Sequence, residues 1–515
     1  MNGRLAVAGS SSPFTRNFLA GLAVSLLVFG GARRLNAAQT WMRISGPHFV
    51  LISDASEGAT REVAAEVSGY EDVIGKFIHA NPARLKPLTI VLFANDEELD
   101  PFKPRTPAGQ NIDDTEQDRD GLTGSLITSG NEWTVIGAVR RINYADVTRG
   151  AVLSACAAWY MSALHIRAPA ALRSGTSRML GLFEEGSDYA RFGRPNRLFL
   201  QILGRWELIP VEKLLLIRNQ EEIVDAHLRM TFTAESWAFA HYLLFAQVPM
   251  KRHAFSTFWA ASKEGLSPHE ALVRALGPEG AAHIDASLQS YLHGISYTVS
   301  LPYDHSGRGL SPLGAADPAE VEVALAKVGC VAQPALGLAH AEAAIAVAHG
   351  PEAYEIRAEI LVRTHAPASR IREAVDAALA QGSHAAWILT HDAEGKLSQA
   401  GGRQASPTQN RAAVNQAEKA VRTDRDYQPA FDLLARALFY SDHVSRDDGK
   451  FLAFGREQFP DDRWLLVGES ALARRTGQES QAAALETEAL SDSPLLDPGQ
   501  LTAVRAYLAA LTSRG

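Results

Sequence analysis

Hydrolytic chemistry needs either an activated nucleophile or a metal-bound water, so the residues that can supply one are the place to begin. The chain holds 16 histidines, and no two stand three or four residues apart. No single helix turn therefore presents an imidazole pair to a metal. His384 and His391 share a helical face only at two turns, about 10 Å apart, too far to share one ion. His269-Glu270 is followed by Ala-Leu-Val. It reads as a helix start after Ser267-Pro268, not as half of a metal motif. Ser154, Ser174 and Ser236 are possible nucleophiles by type, but none sits in Gly-x-Ser-x-Gly. Cys156 lies among alanines and reads as a small buried apolar residue rather than a reactive thiol. Two cysteines, Cys156 and Cys330, cannot make a disulfide framework, and the sequence leaves open whether they pair. Glu184-Glu185 and Glu221-Glu222 read as solvated helix ends or loops. His165 is placed to favour a helix C-terminus. Trp237 and Tyr242 are at helical spacing and read as core. No glycine-rich phosphate loop of known spacing is present.

The composition narrows the partners. Hydrophobic residues make up 46% of the 515, enough for real cores and too many for a disordered chain. The net charge of -8 gives no basic face for nucleic acid. Arg4 and Arg16 precede an apolar run over 18–30, and small residues follow at Asn36-Ala37-Ala38. This is the order of an export signal. As a helix the run is about 20 Å long, short of the ~30 Å hydrocarbon core, which favours cleavage. Arg33-Arg34 after the run fit an uncleaved anchor better. Residues 1–38 are thus expected to be a signal peptide or anchor, and the mature chain periplasmic or secreted. Any membrane contact is expected only through that anchor.

The elements that must position any site come next. Trp41–Ile44 and His48–Ser53 are short β-rich runs around a Gly46-Pro47 turn signal. Residues 56–79 read as a helix with Val63, Val67, Tyr70, Val73 and Ile74 on one stripe. Leu88–Phe93 is apolar at nearly every position, the pattern of a strand buried on both faces. Residues 96–120 read as a surface loop or an insertion, and Trp133–Gly137 as a strand. From 145 to about 297 nearly everything reads as helix. The remainder is alanine-rich and helical, with Tyr354, Trp387, Phe431 and Trp464 early in successive segments. A period of about 34 residues of this kind resembles tetratricopeptide repeats. The glycine-rich stretch 395–404 is expected to break the register once. The expected fold is α+β: a small mixed sheet with a helical domain over 39–300, a linker at 301–318, and an all-α repeat domain over 319–515.

Residues 41–294 resemble the peptidase MA-like (gluzincin) domains. The opening Trp41 … Ser45-Gly-Pro-His-Phe-Val-Leu-Ile-Ser-Asp54 is similar to that family's first hairpin. Leu88–Phe93 is similar to its next core strand, and Thr233-Ala-Glu-Ser-Trp-Ala-Phe-Ala-His-Tyr-Leu-Leu to a later helix. In that family one helix carries HExxH, two zinc-binding histidines with a glutamate base between them, and a second helix supplies a third ligand. The resemblance implies a zincin-like fold but not its chemistry. Ser154 and Ala158 stand at the histidine positions, Ala155 at the base and Ser174 at the third ligand. Thr233 stands where the later helix commonly has Tyr. An alanine methyl neither coordinates a cation nor moves a proton, and a neutral serine hydroxyl is a poor zinc ligand. The expectation is a non-catalytic pseudo-peptidase, without cofactor or metal, that binds a protein or peptide through its repeats or its old cleft. The alternative is a hydrolase with a rebuilt site.

Overall fold

The computed structural model describes residues 40–515 except 79–84, 103–124, 130–131, 140–144, 164–167, 218–222, 224, 296–297, 304–308, 400–406, 442–444, 460–461, 492–500, 507 and 509–515. The expected export segment, His165 and Glu221-Glu222 lie outside the described residues. From Trp41 onward the chain forms one compact unit. Among the described residues no helix is long and apolar enough to cross a membrane.

Residues Met42–Ser45 (β1) and Phe49–Ser53 (β2) pair antiparallel about the Gly46-Pro47 turn. Leu88–Phe93 (β3) lies parallel to β2, and Glu132–Ala138 (β5) parallel to β3. Ser125–Ser129 (β4) closes one edge against β5, and the two-residue Gly314–Ala315 (β9) closes the other against β1. The order is β4-β5-β3-β2-β1-β9. Parallel neighbours need crossover connections. Helix α1 (Glu57–Ile78) supplies the one between β2 and β3, and the single-turn α2 (Asp96–Leu99) follows β3.

Alternation along each strand splits the sheet into two apolar faces. Phe49, Leu51, Leu88, Ile90 and Val135 face α1 and α3 (Ala145–Ala163). Ile52, Val91, Phe93 and Ile136 face the other way, where Val321, Ala324, Leu325 and Val328 of α12 (Pro318–Ala332) cover them. This accounts for the unbroken apolar pattern of β3. The 301–318 segment, read as a linker from its composition, supplies β9. Ser311 Oγ there accepts the Ser45 amide at 2.9 Å, and Arg43 of β1 reaches Glu320 of α12 at 2.8 Å.

The middle of the chain is a helical layer. It contains α4 (Ala170–Leu180), α5 (Arg197–Arg205), α6 (Val211–Leu216), α7 (Ala226–Phe245), α8 (Gln247–Lys251), α9 (Ala254–Lys263), α10 (Pro268–Ala282) and α11 (Ile284–Leu292). A second small sheet departs from the expected all-helical reading: Glu184–Glu185 (β6), Tyr189–Phe192 (β7) and Val299–Pro302 (β8) pair antiparallel. The α10 start is as read, with Pro268 in the first turn and a capping box between Ser267 and Glu270.

The last part is a run of helices, each packed on its neighbours in sequence. After α12 come α13 (Pro334–Val347), α14 (Pro351–Arg363), α15 (Ala368–Ala380), α16 (Ala386–Gln399), α17 (Pro407–Thr423), α18 (Gln428–Tyr440), α19 (Arg446–Gln458), α20 (Arg463–Arg475) and α21 (Glu479–Leu490). The helices that begin at Pro318, Pro351, Ala386, Gln428 and Arg463 follow at steps of 33, 35, 42 and 35 residues. The long step contains the glycine-rich stretch. The mixed sheet and the helical remainder agree with the α+β expectation at that coarse level.

Small residues set the first hairpin. A Cβ added to Gly329 of α12 lies 2.7 Å from the Gly337 Cα of α13, so the two backbones touch where no side chain fits. Replacing a helical glycine by alanine ordinarily stabilises a helix by about 1 kcal/mol. Here the clash is with backbone, which cannot turn aside. Gly329→Ala is expected to lower stability by roughly 1–3 kcal/mol. The check is the urea midpoint, expected to fall with an unchanged denaturant slope.

Candidate functional site

The four positions singled out by sequence fall on two neighbouring helices. Ser154, Ala155 and Ala158 are on α3, Ser174 is on α4, and these helices pack together. Ser154 and Ala155 are buried, while Ala158 and Ser174 are half-buried. On the far side, α4 crosses α7 at a very close approach: a Cβ on Gly175 meets the Ser236 carbonyl oxygen at 1.9 Å. Ser236 is fully buried at that crossing, which excludes it as an accessible nucleophile. Thr233 donates its hydroxyl to the Arg229 carbonyl within α7 at 3.0 Å. Trp237 and Tyr242 are buried on the same helix, as read. Among the described residues, no three His, Cys, Asp or Glu side chains come together as a metal site requires.

Two readings are corrected, and one question left open is answered. Glu184-Glu185 is not a helix end, because α4 stops at Leu180 and both residues pair with Arg191 and Ala190 as a strand. His384 does not share a helix face with His391, because α16 begins only at Ala386. The two cysteines do not pair: both are free and buried. Burial pushes the Cys156 thiol far above its ordinary range and the Cys330 thiol up to about 12, so neither forms a thiolate at neutral pH.

Sequence reasoning missed the buried carboxyl groups. Residues 156 and 160 sit two positions beyond 154 and 158, about 200° around α3, on the opposite face. There Cys156 and Tyr160 meet Tyr70 and Glu71 of α1. Glu71 is 8% exposed, its Oε1 has no hydrogen bond, and burial pushes its carboxyl up to about 8. Its Oε2 lies 3.5 Å from His48 Nδ1. Burial also lowers the His48 imidazole, so both groups favour their neutral forms. The contact is thus between neutral groups and long for a hydrogen bond, not an ion pair.

Two recesses open at the surface. One, of about 470 Å³, lies between the second sheet face and helices α12, α14, α16 and α17. Its carboxylates include Glu132, Glu355 and Asp424. Two intrachain ion pairs already cross it: Lys86 to Asp424 at 2.5 Å, and Lys327 to Glu132. The other, of about 520 Å³, lies between α5, the 206–210 loop and α11, with Glu235 of α7 at its base. Glu235 is 1% exposed, and its Oε2 accepts the Ile209 amide at 2.8 Å. Burial, with Asp285 nearby, pushes its carboxyl up to about 8. Asp285 itself accepts the Val211 amide at 2.8 Å. No motif announces either carboxylate, since they stand 50 residues apart and meet only through the fold. The one available signal was Glu235 itself, the only carboxylate on α7.

Compared with known proteins, the chain matches no family model and no curated protein sequence.

The raised Glu71 carboxyl has a consequence for stability. Between its ordinary value of 4.5 and about 8 the folded chain holds a proton there that the unfolded chain has released. Stability therefore falls as pH rises across that window, by at most roughly 1.4 kcal/mol per pH unit. Glu71→Gln is expected to remove this contribution, so its stability relative to the parent rises steadily from pH 5 to pH 8. Urea titrations at three pH values check this, and parallel profiles would refute it.

Proposed function

We propose that the chain is an exported, non-catalytic relative of the gluzincin peptidases that binds a protein or peptide. One observation carries the reading. Two packed helices, α3 and α4, bear Ser154, Ala155, Ala158 and Ser174 where the resemblance asks for two imidazoles and two carboxylates. Such side chains offer no anionic or imidazole donor to a divalent ion and no base for a metal-bound water. The buried apolar surroundings of α3 favour retention of the helix for packing.

Binding falls to the other parts. The helical hairpins after Pro318 have the near-34-residue step of tetratricopeptide-like arrays, which use extended concave surfaces to hold partners. Helices α12, α14 and α16 already turn residues toward the sheet, and the Lys86–Asp424 and Lys327–Glu132 pairs tie the array there. This reading gives the partner to the later helices, α18 to α21, or to the face beside α3 and α4 where the resemblance implies the old cleft.

The reading is tested by restoring the ligands. The parent chain, purified without chelator, is expected to carry negligible zinc and show no turnover of casein-like substrates. The triple variant Ser154→His, Ala158→His, Ser174→Glu is expected to gain close to one zinc per chain, with circular dichroism confirming that it folds. Stoichiometric zinc or metal-dependent turnover in the parent would overturn the proposal in favour of a rebuilt hydrolase. A folded variant that gains no zinc would show that these three positions do not correspond to a metal site.

A further inference from the structure

The recess over Glu235 has the parts of a ligand site, and its case does not depend on the pseudo-peptidase reading. Its walls are apolar: Leu200 and Leu203 from α5, Trp206 and Leu208 from the following loop, and Leu288 and Leu292 from α11. Its volume, about 520 Å³, lies in the range of small-molecule pockets. At the base one carboxyl oxygen of Glu235 accepts the Ile209 amide, and the other has no hydrogen-bond partner among the described residues. A nearly fully buried carboxyl with an unused oxygen is costly unless something completes its bonding. Asp285, beside it, adds negative charge at the same end. Arg205 and Glu207, of opposite charge, also line the recess.

We propose that this recess binds an organic cation, with an ammonium or guanidinium head on Glu235 and Asp285 and an apolar stem along Leu203, Leu292 and Trp206. The head group supplies N–H donors to the unused Glu235 oxygen and opposes the charge of Asp285. The stem exchanges water for the leucine walls, which provides most of the affinity. The free carboxylate and the cation reinforce one another, so occupation draws the proton off Glu235 and binding strengthens as pH rises toward 8.5. The charged groups on the helices packed against α7 are Arg173 and Arg178 on α4, Arg197 and Arg205 on α5, Lys251 on α8, Lys263 on α9 and Asp285 on α11. Of these, Asp285 is the one whose charge acts on Glu235. The α11 cap His293 also lines the recess.

Calorimetric titration of the full chain tests this with three probes: hexylamine, hexan-1-ol and acetyl-Leu-Lys-Leu-amide. Hexylamine is expected to bind about twentyfold more tightly at pH 8.5 than at pH 6.5, following ionisation of a carboxyl near 8. At pH 8.5 hexanol is expected to bind at least tenfold more weakly than the amine. Glu235→Gln keeps an acceptor for the Ile209 amide, so the fold should persist while amine affinity drops at least tenfold and its pH dependence disappears. Leu292→Trp, which fills the mouth, is expected to block binding without touching the carboxylates. A peptide that binds as tightly as hexylamine assigns the site to a lysyl side chain, and exclusion of the peptide assigns it to a free amine. Equal binding of amine and alcohol, an unaffected Glu235→Gln, or no binding of either cation would each overturn the proposal.

Discussion

The structure depends on covering a sheet that is apolar on both sides. Strand β3 alternates between two cores, with Leu88 and Ile90 toward α1 and α3, and Val91 and Phe93 toward α12. A bare second face would leave the apolar surface of Ile52, Val91, Phe93 and Ile136 in water. Burying each such side chain stabilises by roughly 1.5–3 kcal/mol. The first helix of the array is therefore part of the sheet's core. Polar fastenings follow the same geometry: β9 on the edge of β1, Arg43 on Glu320, Lys86 on Asp424.

That arrangement shapes what the chain can do. Helix α3 lies under the first sheet face, hemmed by α1 and α4, and its small residues let the neighbours approach. Small side chains at 154, 155 and 158 suit close packing and offer no imidazole or carboxylate. The chain's chemically distinctive groups lie elsewhere, in carboxyls whose neutral forms burial favours. Glu71 is enclosed at the α1–α3 seam, whereas Glu235 opens onto a recess. The difference decides their roles: an enclosed neutral acid acts on stability alone, while one that borders a recess can meet a ligand.

Sequence periodicity reached as far as local structure reaches. The β3 strand, the Gly46-Pro47 turn, the α1 stripe and the α10 start were legible because each is specified by residues within one element. Strand β4, Ser-Leu-Ile-Thr-Ser, was not, since its short polar-ended run carries little apolar signal and its place comes from pairing with β5. The β6–β7–β8 sheet escaped for the same reason: its third strand arrives more than a hundred residues later. The first two turns of α7, from Ala226, lacked a stripe to announce them, but Asp225 caps that end. The cover of α12 on the sheet was hidden because the Gly, Ser and Pro-rich stretch before it has a linker's composition. The Glu235–Asp285 pair left no spacing to read.

The most direct test of the shared core is native-state hydrogen exchange on the full chain and on Val328→Ala. Val328 is fully buried on α12 against the sheet, and its truncation leaves a cavity there. If one core holds both parts, the amides of β2, β3 and β5 lose protection together with those of α12, by the same free energy. If only α12 and the helices after it lose protection while the Ile90–Phe93 amides exchange as before, the sheet does not depend on that helix and the account is wrong.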